Sequence, residues 1–510
     1  MRLFLFAIGG TGSRVLKSMM MLSAAGLRPI GPDGSVIPDL EIVPVIIDPH
    51  RDNKDLQRTE ALLNNYCEIR ETLYKNSTEV KDGFFATRFV TLREIMSNTA
   101  TTLTNTFIFN LSTIEGEKFG DYIHYHTMDE GNQALTSLLF APYQLDNKMN
   151  IGFVGSPNIG SVALNQIKDS PEFKAFATVF AQGDRIFFIS SIFGGTGAAG
   201  FPIMVKNIRQ AANLDGIDNR DALRRAPIGG VPVLPYFTLQ NNSADGRIAT
   251  SDFIVKTQSA LYYYKNTLTG ANDSNVNKIF YVGDQVRSKP YAYDPGENGQ
   301  RNNAHLVEMV AALAPFKFAT LPENHLSDPN GFPLPTGAYE YTLDRDDNEV
   351  NFLSMGSETR HLIYKPLVKL HLLYIYLRTG IRDMIGRGYT EDAPKITNDL
   401  LASQFYRTLN NSFLQAYCDW LGEMYDNNRS VRLFAPGEIN MTNVIEGVAT
   451  RKGRLWGHKE VSNDLFNDTM NKLSQHSPTA YTSSTVGFKL LDLFNKAADK
   501  IIDDCYENIN

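Results

Sequence analysis

The feature that most constrains this chain is an apolar run that ends in glycine. Arg185–Ser191 is rich in Ile and Phe at successive positions, as a strand buried on both faces requires. Phe193-Gly-Gly-Thr-Gly-Ala-Ala-Gly200 follows almost at once and leads into a helical pattern through Arg209. The amino terminus repeats the arrangement. Residues 3–8 are continuously apolar, then come Gly9-Gly10-Thr11-Gly12-Ser13, then Val15, Leu16, Met19 and Met20 at helical spacing. Glycine permits positive φ and lets the backbone approach a ligand without a β-carbon, so consecutive N–H groups can converge on an anion. A helix beginning directly after the loop adds the positive end of its dipole. Two such units predict an α/β fold, a doubly wound, mainly parallel sheet that grips phosphate at the carboxyl ends of its strands.

The rest of the chain extends this pattern. Strands are expected at Glu41–Ile47, which ends at Asp48-Pro49, at residues 150–155, at 231–239 and at Lys278–Val282. Helices are expected over residues 52–75, 129–140, 247–265 and 303–313, the last being a central helix, with a long loop over 285–303. After a stretch rich in Pro, Gly and Asp at 321–351, residues 358–385, 395–426, 461–475 and 486–506 read as helices. A chain of 510 residues exceeds what one core usually serves. The expected division is a nucleotide-binding domain over 1–320 and a largely helical module over 321–510.

Composition narrows the partners. Lys and Arg number 49 against 56 Asp and Glu, a net charge of −7 without a long block of one sign, so direct nucleic-acid binding is not expected. Cys67, Cys418 and Cys505 are far apart and odd in number, which fits a reducing, cytoplasmic setting. The uncharged stretch 186–205 carries a glycine loop and Pro202, and reads as strand, loop and helix start, so no membrane span is expected. His124-Tyr-His126 lacks the further ligands of a metal site.

Neither glycine loop is followed by the Lys-Ser/Thr pair that a P-loop uses on terminal phosphates. A dinucleotide fingerprint would place a small residue near Val15 and an acid about twenty residues on, whereas Asp48 lies well beyond that. An NAD-dependent Rossmann oxidoreductase is therefore the lesser alternative.

The paired loops and their order resemble the tubulin/FtsZ superfamily of GTPases, particularly its divergent bacterial tubulin-like members. The family signature is a small residue, Gly-Gly-Thr-Gly, a small residue and Gly. Gly194-Gly195-Thr196-Gly197-Ala198 matches it, while Phe193 replaces the first small residue, Ala199 stands where the last Gly is expected, and Gly200 comes one step late. The resemblance implies GTP or GDP bound with Mg²⁺: Gly9, Gly10, Thr11, Gly12 and Ser13 at the diphosphate, residues 194–198 at the terminal phosphates, and Asp48 near the metal. Pro235-Tyr-Phe237 and Asp245-Gly-Arg247 dimly echo the family's ribose segment. The resemblance places Asp284 and Asn303 at the base, where an Asn or Asp can accept from guanine N–H groups.

Family members associate head to tail into filaments, and a second subunit supplies an acid that orients water against the terminal phosphate. Glu323 and Asp328 are the candidates here, on a segment that lacks the family's spacing. The alternative is a nucleotide-binding module that has lost hydrolysis and docks protein partners on its helical C-terminal part.

Overall fold

The computed structural model describes the chain except residues 32–36, 38–39, 51–52, 76–81, 97–105, 110–116, 150–151, 154, 212–218, 238–249, 270–274, 286–301, 342–347, 386–394, 438, 454–458, 476–484 and 510. Its centre is a sheet of seven parallel strands: β1 (Arg2–Ile8), β2 (Glu41–Ile47), β3 (Arg88–Phe89), β4 (Arg185–Ser191), β5 (Ile228–Val233), β6 (Lys278–Val282) and β7 (Gly337–Tyr341). Their order is β3-β2-β1-β4-β5-β6-β7. The chain thus reverses its direction of travel across the sheet between β1 and β4, which are paired directly (Leu3 with Arg185, Ala7 with Ile189). In open α/β sheets the crevice beyond the strand carboxyl ends at such a reversal is where ligands bind. Pro44 is tolerated within β2 because β3 pairs only with Glu41 and Ile42.

The helices that concern the site are α1 (Gly9–Ala24), α2 (Lys54–Tyr74), α3 (Glu130–Leu139), α4 (Pro157–Leu164), α5 (Thr196–Arg209), α6 (Arg220–Arg225), α7 (Thr250–Thr267), α8 (Leu306–Ala311) and α9 (Ala314–Thr320). Beyond β7 come α10 (Ser357–Thr379), α11 (Leu414–Tyr425), α12 (Asn463–Gln475) and α13 (Val486–Cys505), with a two-stranded pairing of Glu349–Val350 and Ser430–Val431. The C-terminal part is therefore mostly helical, as the periodicity predicts. No described helix is long and apolar enough to cross a membrane.

Two expectations are corrected. Among the described residues of 150–155 there is no strand; Gly152 and Phe153 are irregular, and positive φ at Gly152 and Gly155 turns the chain instead. The central helix, α8, starts at Leu306 rather than at 303 and ends at Ala311, and α9 follows it past a turn at Ala312 and Leu313.

Glycines in β5 let helices settle on both faces of the sheet. A β-carbon on Gly230 would lie 2.4 Å from the Phe201 ring of α5, and one on Gly229 would lie 2.7 Å from the Phe318 ring of α9. Pro202, inside α5, cannot donate to the carbonyl of Ala198 one turn earlier. The buried Tyr264 hydroxyl of α7 donates to that carbonyl at 3.0 Å. Tyr264→Phe is expected to orphan the acceptor and cost about 1–2 kcal/mol in urea unfolding; an unchanged midpoint would show that another donor serves Ala198.

Candidate functional site

The loops after β1 and β4 meet at the reversal point. Gly9 adopts φ +72°, which admits glycine without strain. A β-carbon there would lie 3.5 Å from Cβ of Thr196 and 3.6 Å from the amide nitrogen of Gly197. Closer approach still is required at Gly12, whose absent β-carbon would fall 2.7 Å from the carbonyl carbon of Ala7 and 2.9 Å from the carbonyl oxygen of Ile189. At Gly197 the neighbours are the backbone nitrogen and oxygen of Ser191, at 2.8 and 2.9 Å. These glycines are therefore what brings α1 and α5 down onto the strand ends.

Gly10, Gly194 and Thr196 remain partly exposed and form the rim of the crevice, while Gly9, Thr11, Gly12, Ser13, Gly195, Gly197 and Ala198 are buried. Neither α1 nor α5 carries an acidic residue in its first turn, so no carboxylate of its own offsets the positive end of either helix at the crevice. The arrangement suits an anion. Thr196 is partly exposed, whereas Thr11 is buried and its Oγ1 accepts from the Arg14 guanidinium at 3.3 Å. Ser13 is wholly buried and its hydroxyl has no partner among the described residues.

A third segment supports the second loop. The position of a β-carbon on Gly195 is 3.1 Å from the backbone nitrogens of both Gly155 and Ser156. Gly160 of α4 lets Ala199 in, its absent β-carbon lying 2.9 Å from that methyl. Ala199 replaces the expected glycine without disturbing the helix start because α4 yields the space. Phe193 packs edge-on to Phe237 and Tyr236, with centroids 5.5 and 6.2 Å away, so its ring belongs to the core beside β5.

Beneath the first loop lies a cluster the sequence reading missed. Arg14 Nε donates to Glu308 Oε1 (2.6 Å), NH1 to Asp55 Oδ2 (3.1 Å) and NH2 to the Tyr236 hydroxyl (2.9 Å). Tyr236 in turn donates to Glu308 at 2.6 Å, and Glu308 Oε2 accepts from the His305 backbone at 3.1 Å, capping α8. Asn302 reaches Asp55 from the start of the central helix, its Nδ2 at 3.0 Å. One turn along α1, Lys17 Nζ pairs with Glu423 of α11 at 3.1 Å, and Arg58 of α2 joins the same carboxylate. Three cations and three carboxylates thus balance in the interior and tie α1, α2, α8 and α11 together. The signal that could have found them is the placing of Arg14 and Lys17 among Val15, Leu16 and Met19 on a helix whose residues are nearly all buried.

Asp48 follows Ile47, which pairs with Ile8, and so lies beside Gly9 at the crevice. It is buried, and its Oδ1 accepts from the His50 backbone at 3.0 Å. Burial, with the nearby charge of Asp55, pushes its carboxyl up from 3.8 to about 7 against the lowering effects of His50 and Arg14. Between pH 4 and 7 the folded state then holds a proton that the unfolded chain has lost, so this group's contribution falls as pH rises through that window. Each tenfold difference in proton affinity is worth about 1.4 kcal/mol. Asp48→Asn is expected to melt higher than the parent at pH 8 without nucleotide, with the gap closing toward pH 4. A gap independent of pH would show that Asp48 is ionised throughout.

The two residues assigned to the base have different surroundings. Asp284 makes a two-pronged ion pair with Arg429, at 2.6 and 2.7 Å, and lines a cavity of about 570 Å³ with Leu234, Pro235, Leu306, Val307 and Tyr341. Asn303 is exposed beside Asn302. Asp245 and Arg247, as well as the acidic residues 344, 346 and 347, lie outside the described residues.

Glu323 and Asp328 lie at the other end of the sheet. Arg185, the first residue of β4, donates to the carbonyls of Phe318, Ala319 and Leu321 and pairs with Glu323 at 3.6 Å. The side chain of Glu323 is still 65% exposed. Asp328 Oδ1 caps a turn, accepting from the backbones of Asn330 and Phe332 at 2.9 and 2.8 Å. Neither acid can reach the glycine loops of its own chain, because the full length of β4 separates them. Among the described residues, no group of three or more His, Cys, Asp or Glu side chains is arranged to hold a metal ion.

Comparisons with known proteins add little. No protein-family model matches the sequence, and no curated protein matches it. Among solved structures, similarity is found to a GTPγS-form protofilament of TubZ from Bacillus thuringiensis serovar israelensis, at 12% identity over 55% of this chain and 47% of that one, with a TM-score of 0.21. A helical model of the TubZ-Bt two-stranded filament is similar at 12% identity over 64% and 56%, with a TM-score of 0.22. This chain spans about half the length of each. Likeness this slight carries no argument about function.

Proposed function

We propose that this chain is a tubulin-like GTP-binding protein that assembles head to tail into nucleotide-dependent filaments and hydrolyses GTP at the subunit junction. The observation that carries this reading is the separation of its parts. Two abutting glycine loops, each opening a helix without a first-turn acid, mark one end of the sheet. The exposed carboxylate of Glu323 marks the other, reached by the α8–α9 pair that runs between the two ends. An acid so placed serves only a neighbour's nucleotide. A heterologous contact of that kind generates a filament where the rotation does not close.

In this reading the first loop holds the diphosphate, and Gly194, Gly195, Thr196, Gly197 and Ala198 hold the terminal phosphate. Glu323 orients water in the adjoining subunit. Asp48 fits a magnesium ion, since a carboxylate whose charge is disfavoured by burial gains from a divalent cation, and Mg²⁺ commonly takes one or two carboxylates with substrate phosphates. The ion would neutralise phosphate charge beside Gly9. With Asp328 engaged as a turn cap, Glu323 is the stronger water-orienting candidate.

That same scarcity of acids favours a second reading, a nucleotide-binding module without hydrolysis that docks partners on its helical part. Mass spectrometry of nucleotide released from freshly purified protein tests the site. Phosphate release measured across protein concentration then separates the readings: turnover should rise steeply with concentration and be lost in Glu323→Gln. Absence of turnover at every concentration favours the module, and retention of NAD instead of GTP would overturn both.

A further inference from the structure

The helix α3 presents an apolar face to solvent. None of its residues is buried, and Leu135, Leu138 and Leu139 are 55, 84 and 62% exposed, with Tyr143 of the following turn at 52%. Leu135, Leu138 and Leu139 recur at i, i+3 and i+4, so they form one stripe, and Tyr143 follows on the next short helix, beyond the extended Phe140 and Ala141. The stripe borders the second glycine loop. Asn158 Nδ2 donates to the Leu139 carbonyl at 3.3 Å, and Gln144 Nε2 donates to Ser156 Oγ and Asn158 Oδ1 at 3.1 and 3.2 Å. Ser156 is the residue whose backbone underlies Gly195. On the other side of that segment Lys256 Nζ donates to the Gly155 carbonyl at 2.8 Å, which brings the exposed Ile254 and Val255 of α7 to the same rim. Exposed apolar residues gathered beside a functional loop mark an interaction surface.

The opposite end of the sheet carries a surface that complements it. Arg224 and Arg225 stand exposed on α6, just before β5 begins, and the Arg225 guanidinium covers the half-exposed Phe332 ring at 5.1 Å from its centroid. The helix α3 itself begins at two exposed carboxylates, its N-cap Asp129 and Glu130. Apolar and acidic features at one end thus face apolar and basic features at the other, an arrangement that favours stacking of like chains in one direction.

We propose that the apolar stripe of α3, with Tyr143 and the Ile254–Val255 ridge, docks onto the Arg224–Arg225–Phe332 surface of a second copy of this chain. The proposal rests on the head-to-tail reading above and names the surfaces that make the contact. Docking there covers the rim of the second glycine loop with the end of the neighbour that carries Glu323.

The test uses full-length Leu138→Glu and Arg225→Glu, both at exposed positions outside the loops. Each variant should retain nucleotide as the parent does, yet raise the concentration needed for assembly by about 10- to 100-fold, the factor expected when burial of one leucine is lost. Each variant also keeps one sound surface. Mixed in equal amounts and followed by sedimentation velocity, the two should pair into a dimer and form nothing larger. Parent-like assembly of either variant, a mixture that stays monomeric, or a parent chain that never assembles with GTP bound would each overturn the proposal. Assembly of a parent chain that holds no nucleotide, abolished by either variant, would support the docking surfaces and overturn the nucleotide reading instead.

Discussion

Arg14→Ala is expected to destabilise the protein by about 3–5 kcal/mol, the range for removing one partner from a buried ion pair. The guanidinium is the common donor to Glu308, Asp55, Tyr236 and Thr11, and the space lined by Arg14, Lys17, Asp55, Glu308 and Glu423 is too small to hold a water. Its loss leaves Glu308 without the cation that pairs it and Asp55 with Arg58 alone, at 3.7 Å. Glu308→Gln should cost less, since the amide oxygen can still accept from Arg14, and the two changes together should be far from additive. Urea unfolding of the two single variants and the double variant measures this. A loss below about 1 kcal/mol for Arg14→Ala, the value of an exposed pair, would mean that the cluster is hydrated.

Gly12→Ala is expected to damage the fold and the crevice together. Its methyl would meet the carbonyl carbon of Ala7 at 2.7 Å and the carbonyl oxygen of Ile189 at 2.9 Å, and these are backbone atoms of the two central strands. Relief requires α1 to lift from the sheet, and overpacking of this kind costs about 1–3 kcal/mol or more. Lifting α1 also carries Gly9 and Gly10 away from Thr196, so retained nucleotide should fall by at least about tenfold, the equivalent of 1.4 kcal/mol. Gly194→Ala is the control. There the methyl meets only Ser191 Oγ, at 2.7 Å, a side chain that can rotate, and stability should change little. Equal melting losses in the two variants would show that the sheet does not discriminate between them.

The sequence made β1, β2, β4 and β6 legible because each is a continuous apolar run whose neighbours bury both faces. The glycine loops were legible because strand and helix leave them little else to be. The apparent strand at 150–155 misled for the same reason in reverse: Phe153 is apolar because it packs beneath Gly195, and the glycines around it turn the chain rather than extend it. The central helix was expected from residue 303, but His305 caps it and Leu306 opens it; its end at Ala311 falls close to the expected 313, before Ala314-Pro315 opens the next helix. The charged cluster was illegible for a different reason. Its members sit at positions 14, 17, 55, 58, 308 and 423, and only the fold brings them together. Asp284 reads from sequence as a free polar residue at a strand end, and its partner Arg429 lies 145 residues away.

The balance of three cations and three carboxylates under the first loop has a practical consequence for measurements in salt. Ions in solution screen exposed charges over roughly 8 Å at physiological ionic strength and reach interior pairs poorly. The interior cluster should therefore be almost indifferent to added sodium chloride, while Arg224, Arg225, Asp129 and Glu130 are fully open to it. Melting that changes little between low and high salt, alongside self-association that weakens, would assign the salt response to the ends of the molecule and leave its interior out of account.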